Sequence, residues 1–224
     1  MTYIKIPIIT VILNYFNFFF VSVGVAVCFF VKGSIIVSMV LLLAWIYLVP
    51  PILCRLTIFL TGKPSGSFHQ DSNRHTLWWW LYQLQLLFSR FPVFEEILRI
   101  VPGLYALWLN LWGAKVSLFS FWSPGVTVID RYHIWVEKGV ILGTNAILSP
   151  HILIKGEDGK TLLVVDQITI KRGALIGAES KVTPGCYVRE DQTLTATKSL
   201  LPYTEIRDGK KILLRNHKEY LKAS

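Results

Sequence analysis

A branched aliphatic residue recurs at every sixth position from Ile170 through Ile176, Val182, Val188, Leu194 and Leu200 to Ile206. A six-residue step matches neither the 3.6-residue helix nor the two-residue strand. It matches a solenoid in which each hexad is one short strand and one tight turn, so that three hexads make a coil with three flat faces. The same step runs upstream through Val136, Leu142, Leu148 and Ile154, and the phase slips across the turn-rich GEDG at 156–159. The fourth position after each aliphatic is often small, as at Ala146, Ala174, Ser180 and Cys186, and glycine follows directly at Gly143 and Gly177. The clearest hexads read LGTNAI, IKRGAL, IGAESK and VTPGCY. The aliphatic is expected to point into the prism with the small residue close beside it. Glycine and proline serve the corners, where φ is positive or fixed.

The first half has a different character. The chain has 224 residues, enough for one or two domains; 53% are hydrophobic and 17% charged, with a mean hydropathy of +0.49. That balance excludes a disordered chain and is too apolar for an ordinary soluble domain. Ile6–Val31 and Ile35–Cys54 are uncharged runs of 26 and 20 residues, separated by Lys32-Gly33-Ser34 and closed by Arg55. About 20 apolar residues in a helix cross a hydrocarbon core of about 30 Å, so residues 1–62 read as a transmembrane helical hairpin. The first run is too long for a signal-peptide core and lacks an A-x-A site. Pro50 and Pro51 are expected to bend or end the second helix early, which leaves a re-entrant segment open. The turn carries Lys32 alone, whereas Lys5, Arg55, Lys63 and Arg74 lie on the other side. The positive-inside rule then puts both ends in the cytoplasm of an inner or plasma membrane.

Residues 63–112 form a middle zone. PSGSFHQDSNRHT (64–76) reads as a loop, followed by TLWWWLYQLQLLFSRF (76–91) and VFEEILRIVPGLYALWLNLW (93–112). These two segments read as amphipathic helices in the membrane surface, where aromatic rings settle at headgroup level. The alternative is that their aromatics pack on the globular domain. A net charge of +9 fits a surface facing anionic lipid. Zinc-finger spacing and a basic helix with interleaved aromatics are both missing, so nucleic acid is not an expected partner. Cys28, Cys54 and Cys186 are far apart and form no CxxC. Residues 113–206 are the solenoid, and 207–224 read as a short basic C-terminal helix.

The stretch LGTNAILSPHILIKGEDGKTLLVVDQITIKRGALIGAESKVTPG (142–185) resembles the hexapeptide-repeat acyltransferases of the left-handed β-helix superfamily, and most of all its membrane-associated members. The resemblance covers about residues 113–206. It implies a left-handed parallel β-helix, a homotrimer with clefts between subunits, and a thioester donor, acyl-CoA or acyl-carrier protein. The same likeness makes His151, which follows Leu148 at the hexad break, the general base that takes a proton from an attacking hydroxyl or amine. A neutral imidazole suits that task. Asn145, or a backbone amide near Ser149, would meet the developing oxyanion. Gly173, Ala178 and Thr183 would lie along the donor. Pro184 stands where the family often has lysine, which leaves the choice between CoA and carrier protein open.

The other histidines carry ordinary expectations. His69 and His75 read as solvated, His133 as a core or corner residue, and His217 as part of the exposed tail. A carbonic anhydrase of this fold needs three histidines on zinc, and only His151 lies in the regular coils, so no metal is expected. Two classes of function follow. One is an integral-membrane acyltransferase acting on a lipid-linked or amphiphilic acceptor. The other is a non-catalytic trimeric membrane scaffold, or the partner subunit of a larger synthase.

Overall fold

A computed structural model describes residues 8–31 and 34–215. Residues 115–207 coil into a three-sided parallel β-helix. The first face pairs Lys115–Val116, Ile134–Val136, Ile168–Ile170, Tyr187–Val188 and Thr204–Arg207. The second pairs Phe121–Trp122, Ile141–Leu142, Leu175–Ile176 and Thr193–Leu194. The third pairs Thr127–Val128, Ile147–Leu148 and Lys181–Val182, with a bridge onward to Ser199. The register stacks Val136 on Ile170, Val188 and Ile206, and Leu142 on Ile176 and Leu194. These inward residues are at most 2% exposed, as are Ala146, Ala174, Ser180 and Cys186. Each enclosed aliphatic contributes about 1.5–3 kcal/mol, which makes the six-residue ladder the main stabilising feature of this half.

The coils begin one turn earlier than the clear ladder, with Val116 and Val128 also buried. Ile154 leaves the ladder. It lies on a hairpin arm, His151–Lys155 paired antiparallel with Thr161–Val165, so the excursion is the whole hairpin and GEDG is only its tip. The far end differs from the expected helix as well. Thr204–Arg207 turns back through Asp208-Gly209 into the antiparallel strand Lys210–Leu213. Both turn residues have positive φ, 51° and 70°, the geometry of a tight hairpin that ends the sheet. The rest of the expected C-terminal helix, residues 216–224 with His217, lies outside the described residues.

The helical half comprises α1 (Ile8–Leu13), α2 (Phe16–Phe30), α3 (Ile35–Thr61), α4 (Asn73–Arg90), α5 (Val93–Arg99) and α6 (Leu104–Leu111). Only α3, among the described residues, is long and apolar enough to cross a membrane, with a mean hydropathy of 2.4 over 18 residues and 11% of that window buried. It runs unbroken through Pro50-Pro51, contrary to expectation. Pro51 removes the N–H that would bond Tyr47 O. The indole Nε1 of Trp108 donates to that carbonyl instead, at 2.9 Å, and the helix continues.

The first apolar run is split at Asn14-Tyr15, leaving a 15-residue α2. The polar side chains there bond α4: Asn14 Oδ1 accepts from Trp79 Nε1 at 3.1 Å, and Asn17 Nδ2 donates to Gln83 Oε1 at 3.2 Å. α2 lies against α3, where Gly24 leaves room for the Trp45 ring and Trp45 Nε1 donates to Phe20 O.

Ser72 caps α4 through the His75 amide, at 3.2 Å. This helix does not lie free on a surface. Trp78, Leu81, Gln83, Leu84, Gln85 and Phe88 are buried, because α4 is held between α1–α3 on one side and the β-helix on the other. α5 and α6 do keep apolar side chains outward, including Ile97, Leu104, Leu107 and Leu111.

Candidate active site

The prism has three edges, where one face turns into the next. The two edges bordering the second face keep the six-residue step in every coil. The third edge, between the third face and the first, breaks it twice. Val128 to Val136 takes eight positions, and Leu148 to Ile170 takes twenty-two. The first surplus forms Asp130 and the short 3-10 turn Arg131–His133. The second forms Ser149-Pro150 and the hairpin. Gly66–His69 adds a third, antiparallel strand to the hairpin arm Thr161–Val165, so the helical half is stitched to the excursion.

The two breaks lie in neighbouring coils, and their side chains meet. His151, at the foot of the hairpin, bonds Asp130 Oδ2 through Nδ1. An ionised carboxylate only accepts, so Nδ1 carries the proton of this bond, and in the neutral ring the lone pair then lies on Nε2. Asp130 is fully buried, and its other oxygen accepts from Trp78 Nε1 at 3.2 Å. Its φ of 45° is a conformation that few non-glycine residues adopt. The His151 side chain is 17% exposed. The rings of Trp78 and Tyr82 meet it edge-on, with centroids at 4.9 and 5.8 Å. Burial, reinforced by Asp130, raises the Tyr82 phenol above its ordinary pKa, so it stays protonated as a hydrogen-bond donor. Trp79 stacks on Tyr82, and His75 on Trp79.

The adjoining Arg131 turns the other way and fastens this edge to the helices. Its amide donates to Gln85 Oε1 at 2.7 Å and its Nε to Glu95 Oε1 at 3.0 Å. Tyr105 and Arg99 donate to the other Glu95 oxygen, at 2.5 and 3.2 Å. The Arg131 guanidinium also lies 5.6–5.7 Å from the ring centroids of Phe88, Trp108 and Trp112. Asp130 is therefore bracketed by a locked neighbour and by Trp78, and cannot swing away from His151 without breaking buried hydrogen bonds.

The residues assigned from sequence do not gather around His151. Asn145 is an exposed corner residue of the edge between the second and third faces, with φ 57°, and its amide lies over Gly125 of the preceding coil. The Ser149 amide donates to Val182 O at 2.9 Å. Gly173 is on the edge between the first and second faces, where the Asp191 carboxylate fills the space a side chain would need. Ala178 is on the same edge as Asn145. Thr183 shares the edge of His151, but it is buried and its hydroxyl donates to Leu200 O at 2.8 Å. Six-residue spacing moves each successive hexad to another face, so 173, 178 and 183 fall on three different edges.

His75 is buried rather than solvated. His69 is half-buried, 3.7 Å from Asp158. His133 is enclosed, with Nε2 against Pro64 O at 2.9 Å. Burial lowers the pKa of both His75 and His133. Among the described residues, no group of three or more His, Cys, Asp or Glu converges as a metal site would require.

The sequence assigns no site role to Asp130, and Trp78 and Tyr82 read there only as aromatics of a membrane-surface helix. The eight-position step from Val128 to Val136 was the available signal for Asp130, since it marks the same edge as the larger break at His151. No family model matches the sequence, and no curated protein matches it. Solved structures similar to the chain include a hexapeptide-repeat-containing acetyltransferase of Vibrio cholerae, with 10% identity over 59% of this chain and 93% of that one and a TM-score of 0.40. The Vibrio cholerae O1 biovar eltor protein complexed with acetyl coenzyme A has 12% identity over 59% and 88% of the two chains, at 0.39. A serine acetyltransferase of Neisseria gonorrhoeae in complex with serine has 12% identity over 81% and 80%, at 0.29.

Proposed function

We propose that the protein is an integral-membrane acyltransferase that moves an acetyl or longer acyl group from a thioester onto a hydroxyl or amine of an amphiphilic acceptor. The observation that carries this reading is the oriented Asp130–His151 pair at the doubly broken edge. His151 Nε2 takes the proton from the acceptor as its oxygen or nitrogen attacks the thioester carbonyl. The C–S bond then breaks, and the departing sulfur takes that proton. Asp130 holds the tautomer and steadies the imidazolium formed between these steps.

The acyl donor is acyl-CoA or acyl-carrier protein, placed beside the third edge near Thr183-Pro184; Gly173 and Ala178, on the other two edges, lie off this donor path. Asn145 is distant from this edge, and the Ser149 amide is already bonded. Tyr82, a protonated phenol facing His151, is the better candidate to meet the oxyanion. A neighbouring subunit in a homotrimer would close the open side. The apolar α3 and the outward faces of α5 and α6 support a membrane location and hence a lipid-linked acceptor, and the basic residues Arg55, Lys63 and Arg74 support the cytoplasmic side for the β-helix.

The test is thiol release from acetyl-CoA and longer acyl-CoAs, or from acyl-carrier protein, in purified membranes with lipid extract as acceptor. His151→Ala should lower the rate about 10²–10⁴-fold. Thermal unfolding and gel filtration check the fold. His69→Gln, a half-buried histidine away from Asp130, should keep near wild-type rates. If wild type neither binds nor turns over any thioester, the scaffold reading replaces the catalytic one.

A further inference from the structure

Where α3 leaves its apolar stretch, three cations converge on the first residues of the β-helix. Gly113 has a φ of 98° and no side chain, and the Arg55 side chain lies over it, its Cδ and Nη1 3.5 Å from where a Cβ would be. Lys63 Nζ donates to Gly113 O at 3.2 Å and to Tyr132 O at 2.6 Å, which leaves it a third donor. Lys115 follows two residues later, held over the Trp135 ring at 4.8 Å, with Lys171 also 4.8 Å from that ring. Among the described residues, Arg55, Lys63 and Lys115 have no carboxylate partner. Nearby on the first face Lys171 is paired with Glu137 and Arg172 with Glu190. The mutual repulsion is felt locally: burial and then Lys115 lower the pKa of Lys63, with Arg55 adding to the effect.

The three residues are exposed, so water screens their repulsion, and an anion placed among them would meet three cations that no carboxylate has neutralised. The edge strand does not need that anion, because Asn110 already occupies both backbone groups of Val116, at 2.7 and 2.8 Å. The two helices leading here present apolar side chains outward, Ile52 and Leu56 on α3 and Leu107 and Leu111 on α6. Apolar flanks that end at three uncompensated cations match a ligand with acyl tails and an anionic head. We propose that Arg55, Lys63 and Lys115 form a binding site for the phosphate of a membrane lipid headgroup. Arg55 supplies a planar fork to the phosphate oxygens, and the two ammonium groups act as point charges. The site rests on the membrane reading above and is independent of acyl transfer.

The test uses the full-length protein in mild detergent and native mass spectrometry. The probes are dioleoyl phosphatidylglycerol, dioleoylglycerol with the same tails and no phosphate, and inorganic phosphate. Phosphatidylglycerol should bind selectively, with inorganic phosphate competing only at much higher concentration. The double variant Arg55→Gln/Lys115→Gln should bind it roughly 30-fold more weakly, which corresponds to about 1 kcal/mol for each cation removed. Arg55→Lys should retain most of the binding. Lys160→Gln, an exposed lysine at the hairpin tip, should leave it unchanged, and thermal midpoints establish that each variant is folded.

Equal binding of dioleoylglycerol would reduce the site to apolar contact and overturn the proposal. Binding of inorganic phosphate as tight as the lipid would assign the site to a soluble phosphate and overturn the lipid assignment. Undiminished binding by a folded double variant would do the same for the named residues. A protein without acyltransferase activity that still selects phosphatidylglycerol leaves this proposal standing.

Discussion

The third edge of the prism and the other two are built from the same hexads, yet they do different things. On the two edges bordering the second face a side chain of one coil fills the gap at a glycine of the coil before, Asn145 over Gly125 and Asp191 over Gly173, and the regular coils of the third edge do the same with Tyr203 over Gly185. The polar groups of the first two edges stack within the chain, and little is left for a ligand. The third edge carries all the surplus residues, and these fold outward into a turn and a hairpin. There the side chains bond across the excursions, Asp130 to His151 and Trp78 to Asp130, and the helical half closes over them. Regular stacking closes two edges, and irregularity gives the third its candidate site.

The sharpest way to break that contrast is at Asp130. Asp130→Asn keeps the size and removes the acceptor-only carboxylate, so His151 loses its fixed tautomer. The rate should fall about 10²–10⁴-fold in a protein that still folds. Near wild-type turnover would mean that the third edge is as structural as the others.

The next effect is on stability. Arg131→Met removes the 1%-exposed cation that holds Glu95 and makes one hydrogen bond to Gln85, while the backbone amide keeps its own bond to Gln85 Oε1. Leaving Glu95 short of a partner should cost about 3–5 kcal/mol, read as a lower denaturation midpoint. A cost below about 1 kcal/mol would mean that the helices are not fastened at this edge.

A smaller loss should follow from Gly173→Ala on a regular edge. The φ of 68° disfavours alanine, and the new methyl meets Asp191. Stability should drop by about 1–3 kcal/mol, while the rate per folded molecule is unchanged. A fall in rate with unchanged stability would restore Gly173 to the donor path.

The smallest effect is one of pH. His75 and His133 sit beside the third edge with pKa values lowered chiefly by burial. As pH falls below about 6.5 the unfolded chain takes up protons that the folded chain refuses, so stability is complete above that pH and declines below it. The thermal midpoint should fall between pH 7.5 and 5.5. His133→Gln should lower the midpoint at neutral pH and flatten this slope; an unaltered slope would assign the acid sensitivity to other groups.

Much of this was legible from residues alone because it depends on local repetition. Every inward aliphatic from Ile170 to Ile206 is where the six-residue step puts it, since a prism of constant perimeter returns each sixth residue to the same depth. His151 was legible because a break in a strict repeat is conspicuous. Ile154 was misread for a related reason: it keeps the step by coincidence while the chain has already left the prism. The partners of His151 were not legible. Asp130 lies 21 positions away and Trp78 lies 73 away, and neither distance corresponds to any period. Their meeting depends on two coils stacking and on α4 docking across them.

The sequence by itself determined the solenoid, its apolar lining, the apolar run of α3 and the location of the anomaly. All of these are periodicities or averages that survive any packing of the rest. Tertiary structure decided which side chains meet at that anomaly. It turned the aromatic helix from a surface element into the wall of a site, because the third edge offered a carboxylate for Trp78 and an apolar hairpin for its neighbours. It also decided that α3 runs through two prolines, since Trp108, 57 residues beyond Pro51, supplies the hydrogen bond that Pro51 cannot. Long-range satisfaction of polar groups has no signature in a local pattern; it exists only once the coils and helices are packed.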